Sequence, residues 1–480
     1  MKVHTEGALR DRVDALSDMG HLRVHLIGVG GSGMSGAAAL LLGLGARVSG
    51  SDQVAFEGMG QLVQRGATIS VGHRESQLHP AVDLVVISAA IPESNHELAL
   101  ARALGIPIIK YAELIGELMR HHTQGIAIAG THGKSTTTAM CAHLCREAGL
   151  QPSFLVGARS AQLGGSSSVG DRRLFVVESC EFDRSFLHLH PHSGAILNIE
   201  PDHLDCYHDL DEIVEAFSMF ASQVYADGVL VCNGDDPLAS RAAAFSPSAV
   251  ETFGLTREAT WRAEDLGQDR GCHRFTIWRD GLRFLTSRLS IPGGHNVANA
   301  LAAVALAHHA GAGARSMADA LPRFEGVERR LTWRGRGGGV TIVDDYAHHP
   351  TEIRVTIDAA RQRYAPRRMW VVFQPHQNAR TRHFMDAFAD SFGLADEVIV
   401  PDVYGAREDA NGNGWCGSAE LVSRMCGRGV RATYLSSLSA AAEHVMQNVA
   451  DGDLVLTMGA GDVWKVADEL VARFCGPRGT

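Results

Sequence analysis

Between Gly125 and Thr138 a short apolar run, GIAIAG, turns through Thr131, His132 and Gly133 and reopens on Lys134, Ser135 and Thr136. A strand that ends in a glycine turn and continues as a helix has to lay that helix back over its own sheet, so the segment demands a parallel α/β layer. The turn also gathers backbone N–H groups and the positive end of a helix at one point, where a phosphate can sit. On this pattern Thr131, His132 and Gly133 offer N–H donors to phosphate oxygens, Lys134 places a point charge on the β- and γ-phosphates, and Ser135 reaches Mg²⁺. Gly130 and Thr136 complete the expected ATP cradle. The loop is a shortened variant, since Ile128 stands where the common eight-residue form has its first glycine. Lysine is otherwise confined to Lys2, Lys110 and Lys465, so one placed in this turn carries information.

A second glycine loop lies near the front. LRVHLIG leads into Gly28-Val29-Gly30-Gly31-Ser32-Gly33, a G-x-G-x-x-G turn after a strand, and Asp52 ends the next strand. Alone, this points to a dinucleotide-binding oxidoreductase with Asp52 on a ribose. Any nucleotide diphosphate can use the same backbone, because only close approach of N–H groups to a pyrophosphate is required. A chain with both loops is better understood as joining two nucleotides than as oxidising something.

The length of 480 residues predicts about three domains. A βαβ opening runs through ARVSGSD, LVVISAA and IPIIK to a helix ending near His121, which sets the first domain at 1–122. A second unit, 123–331, starts at the phosphate loop and continues through LFVVES, GAILNI and GVLVCNG, with helices between. It includes a polar ribbon containing RFTIWRDGLRF and a helix HNVANALAAVALAHHAG. A third unit, 332–480, begins near GVTIVDD, repeats strand and helix through MWVVFQ, EVIVPDV and LVLTMGAG, and ends on a helix from Val463. The expected fold class is α/β in three domains: a Rossmann-like N-terminal domain, a P-loop ATPase central domain and a Rossmann-like C-terminal domain.

A net charge of −10 argues against a nucleic-acid partner, which needs a basic stripe. Nine scattered cysteines without a C-x-x-C pair predict reduced thiols. No apolar run suits a signal peptide or a membrane span, so a cytoplasmic location without membrane contact is expected.

Eight stretches, in order, carry a resemblance: HLIGVGGSGMSGAA (25–38), AGTHGKSTTT (129–138), VVESCEFDRSFL (176–187), NIEPDHLDCY (198–207), HNVANALAA (295–303), GVERRL (326–331), VDDYAHHPTE (343–352) and FQPHQNARTR (373–382). Together they resemble the Mur ligases of peptidoglycan synthesis, and SFLHLHP after the glutamate motif is similar to their alanine-adding branch. The resemblance implies three domains, for a UDP-sugar, for ATP and for amino-acid capture. It implies ATP-dependent joining of L-alanine to the lactyl carboxylate of UDP-N-acetylmuramate through an acyl phosphate, with Mg²⁺ or Mn²⁺, by a monomer or homodimer. By the same resemblance Gly28, Gly30, Ser32, Gly33 and Met34 cradle the UDP diphosphate, with Asp52 and Ser88 lining that site. His295 and Asn296 face the adenine nucleotide, Arg330 its phosphates and Asp345 its ribose.

Lys134, Glu178, His203 and Arg380 are the expected catalytic residues, and Ser135, Glu178 and His203 the expected metal ligands. His348, His376, Arg380 and Arg382 are assigned to the amino acid and intermediate, with the Arg380 fork on the alanine carboxylate. Gln377 and Cys180 stand where many relatives carry arginine and aspartate. No lysine lies between Lys134 and Lys465, so the carbamylated lysine of sibling ligases has no counterpart. Three other readings stay open at this point: a murein-tripeptide recycling ligase, a nicotinamide-dependent oxidoreductase with an accessory ATPase unit, and a binding protein with a dead ATP site.

Overall fold

A computed structural model describes residues 20–203, 206–256, 258–405 and 417–476. The N-terminal segment scanned for a targeting signal lies outside them up to residue 19, as do Leu204 and Asp205 of the NIEPDHLDCY stretch.

Each third of the chain builds its own sheet. The first runs Thr68–Val71, Arg47–Asp52, Arg23–Ile27, Leu84–Ile87, Ile108–Lys110, all parallel. Strand order reverses at Arg23–Ile27, so its C-terminal end is a switch point where ligands of open α/β sheets bind, and the glycine loop leaves from there into the helix Ser32–Gly43.

The second sheet has ten strands. The phosphate-loop strand Gln124–Ala129 lies between Ser193–Ile196 and Leu174–Glu178. Its residues from Gly125 onward are all buried, as an unbroken apolar strand covered on both faces requires. The loop helix, Lys134–Glu147, packs on the helix His295–His309, whose Ala300, Ala302, Ala303 and Ala305 are wholly buried. Small side chains there let the two helices approach closely, and alanine keeps the helix stable. The polar ribbon appears as the antiparallel strands Trp261–Asp269, Cys272–Arg279 and Leu282–Arg288.

One local expectation is corrected, and one hairpin is added that was not expected from the sequence. Ser153–Ser160 and Gly165–Ser168 form a hairpin at the far edge, and the link from Leu174–Glu178 to Ser193–Ile196 is a 3₁₀ turn, Phe182–His188, where a helix was expected. The third sheet holds Val340–Asp345, Leu454–Met458, Met369–Phe373, Glu397–Val400 and Ala432–Tyr434 in parallel, and starts one strand early with antiparallel Thr332–Gly337.

The first sheet joins the second through hydrocarbon. Ala37 and Leu41 of the helix Ser32–Gly43 share one buried cluster with Leu155, Phe175 and Phe186. A Cβ on Gly36 would lie 2.5 Å from Leu155 Cδ1, so glycine is what allows this helix to sit on the hairpin. The second and third sheets meet through polar groups instead: Thr351 Oγ1 donates to Glu200 Oε2 at 2.7 Å, and Arg380 holds Asp202. These two contacts set the glycine loop, the phosphate loop and the third sheet around a common space.

Candidate active site

Gly133, at φ 82°, adopts the left-handed turn that starts the loop helix, and a Cβ there would fall 2.6 Å from Asn299 Oδ1. Thr131 N–H donates to the Asn198 carbonyl at 3.0 Å, and His132 N–H to Asn198 Oδ1 at 2.7 Å. This corrects the expectation that both N–H groups aim at phosphate. Asn198 pins the loop, and the donors that helix geometry leaves without an intrahelical acceptor are those of the first turn, Lys134 to Thr136.

The Lys134 ammonium folds back on the loop, donating to the carbonyls of Gly130 at 2.5 Å and Thr131 at 3.0 Å, and lies 2.8 Å from the buried carboxylate of Glu181. Burial opposes its charge, but Glu181 more than compensates and the pKa is raised. Glu181 was not singled out from the sequence, although it sits in the same stretch as Glu178.

Ser135 Oγ donates to Glu178 Oε1 at 3.0 Å, while Glu178 Oε2 accepts from Gly157 N–H at 2.6 Å. Gly157 is required for that approach, because its missing Cβ would lie 2.7 Å from Oε1. His203 Nε2 stands 3.7 Å from Glu181 Oε1 and 3.9 Å from Asp202 Oδ2. Burial lowers its pKa, which favours the neutral imidazole that a metal ion needs. A serine hydroxyl, a carboxylate and an imidazole thus gather beside Lys134, and the oxygen pair Ser135/Glu178 suits a hard divalent cation.

Two cavities open here. The smaller, about 260 Å³, is lined by Ser135, Thr136, His295, Asn296, Arg330 and Asp345 among others. Burial and the nearby Arg330 push the His295 pKa down to about 4, so it is neutral. Asn296 Nδ2 donates to the Pro292 carbonyl at 2.7 Å. Arg330 reaches Glu352 at 3.3 Å. Asp345 accepts the N–H groups of Leu331 and Ala347, each at 2.7 Å, and burial raises its pKa to about 6.

The larger cavity, about 650 Å³, has Gly31, Ser32, Gly33, Met34 and Ser88 at one end and Lys134, Ser135, Glu178, His203 and His348 at the other. Gly28, Gly30 and Asp52 stand behind its wall. Gly28 N–H donates to the Ser51 carbonyl, and Gly30 N–H donates to Asp52 Oδ2 at 2.8 Å, so Asp52 braces the loop and does not line the cavity.

In the third sheet, His348 Nδ1 lies 3.2 Å from Glu352. Arg380 is buried and spends Nε and Nη2 on Asp202 Oδ1, at 3.1 and 2.6 Å, with Nη1 3.3 Å from His376 Nδ1. Burial alone would raise the Asp202 pKa, yet His203 and Arg380 hold it well below the usual carboxylate range. His376 stacks on Tyr404, and Arg382 is exposed on the short helix Asn378–His383; neither lines either of these two cavities.

His132 lies between Glu200 at 3.7 Å and Glu352 at 3.3 Å. Burial disfavours its charge, but the two carboxylates prevail and raise the pKa to about 9. Glu181, Asn198, Glu200, Asp202 and Glu352 are the residues that sequence reasoning passed over. Each lies within a motif quoted above, and for the four acidic ones a carboxylate beside an expected phosphate site was the available signal.

Comparison with known proteins gives three consecutive domain matches: the catalytic domain model of the Mur ligase family over residues 23–123, the Mur ligase middle domain over 128–307, and the Mur ligase glutamate ligase domain over 329–461. The UDP-N-acetylmuramate–L-alanine ligase of Agathobacter rectalis is 39% identical over 94% of this chain and 98% of its own. That of Acetivibrio thermocellus is 39% identical over 93% and 94%. The solved UDP-N-acetylmuramate-alanine ligase of Thermotoga maritima superposes with a TM-score of 0.81 at 28% identity, over 94% of this chain and 99% of that one. A murein peptide ligase from Psychrobacter arcticus superposes with a TM-score of 0.73 at 27% identity, over 96% and 100%.

Proposed function

Because the chain belongs to the Mur ligase family, we infer that its two loops serve one reaction: ATP-dependent ligation of L-alanine to UDP-N-acetylmuramate, a step of peptidoglycan synthesis. The observation that carries this reading is the single cavity with Gly31–Met34 at one end and Lys134, Ser135 and Glu178 at the other. A diphosphate seated on the first end directs the rest of its molecule toward the second. The oxidoreductase and dead-site readings leave that shared space without a purpose, and the curated relatives at 37–40% identity are alanine ligases.

ATP occupies the smaller cavity, with its phosphates on the first turn of the loop helix and Arg330 beside them. Lys134 leaves Glu181 for the transferring phosphoryl group, which needs fixed positive charge more than covalent help. The lactyl carboxylate attacks the γ-phosphorus and becomes an acyl phosphate as ADP departs. The α-amine of L-alanine then attacks the acyl carbon, and phosphate leaves. His348, on the cavity wall, faces the incoming amine, and Arg380 positions that wall through Asp202. Ser135, Glu178 and His203 would hold Mg²⁺, whose chemistry there is to neutralise phosphate charge. Contact between the second and third sheets excludes the water that would hydrolyse the acyl phosphate.

The test is ATP-dependent phosphate release with UDP-N-acetylmuramate and Mg²⁺, comparing L-alanine with the L-Ala-D-Glu-diamino-acid tripeptide. Turnover should require L-alanine. Turnover with the tripeptide alone would transfer the assignment to the recycling branch.

A further inference from the structure

One side-chain cluster at the edge of the smaller cavity, which His132 and Glu200 help to line, has no part in the steps of that reaction. His132 from the phosphate loop, Glu200 after the strand Ser193–Ile196, and His349 just before the helix Pro350–Tyr364 bring one ligand atom each to within 4.8 Å of one another. His132 Nε2 and His349 Nδ1 each lie 3.7 Å from Glu200 Oε2. The two rings stand 4.6 Å apart at 46°.

The outer faces of these rings are occupied in the manner of metal-binding imidazoles. His132 Nδ1 faces Glu352 Oε1 at 3.3 Å, and His349 Nε2 donates to the Pro201 carbonyl at 3.2 Å. A carboxylate or a backbone carbonyl on the far nitrogen fixes the tautomer and turns the other lone pair inward. His132 Nε2 is buried and has no hydrogen-bond partner, although it points at the cluster. The inward atoms otherwise make two contacts: His349 Nδ1 accepts a long bond from Thr351 N–H at 3.3 Å, and Glu200 Oε2 accepts from Thr351 Oγ1.

We propose that His132, Glu200 and His349 form a binding site for a transition-metal cation of the zinc class, shared between the second and third sheets. Two nitrogens and one carboxylate oxygen match the donor set of zinc and suit magnesium poorly. Ligand atoms at ~2.0–2.1 Å from a tetrahedral ion are about 3.3 Å apart, so each histidine–glutamate pair at 3.7 Å closes by a few tenths of an ångström, and the two histidine atoms, within 4.8 Å of each other, close by up to about 1.5 Å. The cation takes the place of the proton on His132 Nε2, which passes to solvent on binding, and Glu200 and Glu352 keep a positive charge in their midst either way. The ion is a staple: it ties the phosphate loop and Glu200 to His349 of the third domain.

Cobalt(II) titration of the full-length protein without nucleotide tests this, because tetrahedral cobalt absorbs far more strongly in the visible than cobalt bound by oxygens in an octahedron. An intense band saturating at one ion per chain is expected. It should weaken, with affinity down at least about tenfold, in His349→Gln and in Glu200→Gln, and persist in Glu178→Gln. Absence of the band in the unsubstituted protein would overturn the proposal whatever the variants do. A band lost with Glu178→Gln and kept in the other two would also overturn it, by moving the cobalt to the Ser135/Glu178 group. No substrate enters the measurement, so its outcome is independent of the ligase assay.

Discussion

Where the helix Ser32–Gly43 meets the second sheet, Ala37, Leu41, Leu155 and Phe175 share one cluster and are almost fully buried. Where the second sheet meets the third, the groups in contact are Glu200, Asp202, His132, Thr351, Glu352 and Arg380. Separating the first face exposes hydrocarbon at about 1.5–3 kcal/mol for each large side chain. Separating the second lets every group exchange its partner for water, so the net cost is small. The glycine-loop end and the phosphate loop are therefore held as one body, while the third domain can open and close over them.

The largest effect that sharpens this contrast is Leu155→Ala, expected to lower stability by about 3 kcal/mol, read from the midpoint of urea denaturation. Asp202→Ala should lower stability by about 1 kcal/mol, less than Leu155→Ala, since the third domain opens and Arg380 returns to water rather than staying buried unpaired, while turnover falls about tenfold to a hundredfold because closure fails. An equal loss of stability in the two variants would mean that the interfaces do not differ in kind.

The next effect depends on pH. Burial lowers the His132 pKa, but the two carboxylates raise it by more, to about 9 against an ordinary 6.5. A raised pKa stabilises the folded protein fully below 6.5 and loses that contribution as pH rises through 9. In chelator, the thermal midpoint of the protein should exceed that of His132→Gln most at pH 6, and the gap should shrink steadily up to pH 9 and beyond. A gap independent of pH would remove charge from the account of this interface. Thr351→Val, which deletes one bond to Glu200, should have the smallest effect, about 0.5 kcal/mol, as a small drop in the same midpoint.

The phosphate loop, the front glycine loop, the RFTIWRDGLRF ribbon and the helix His295–His309 were legible because each has a local signature. The hairpin Ser153–Ser160/Gly165–Ser168 was not. Its second strand is glycine and serine, with neither apolar alternation nor β-branched residues, and it exists because the first-domain helix packs on it. Thr332–Gly337, TWRGRG, was missed for a similar reason and is held by its pairing with Val340–Asp345. At the site, residue types were legible but partners were not. That Asn198 takes the N–H groups of Thr131 and His132 depends on a neighbouring strand 66 residues away. That Arg380 meets Asp202 depends on two separate sheets coming together.

The contact between Lys134 and Glu181 makes the phosphate loop a discriminator. A ligand gains the ammonium only by outbidding a carboxylate that already holds it, so the reward rises steeply with the negative charge brought to that spot. With ATP seated as proposed, adenosine would settle in the smaller cavity without disturbing the pair, whereas a triphosphate would draw the lysine across. On that reading the loop is graded by phosphorylation state, answering to the nucleotide that has something to transfer and ignoring the one that has not.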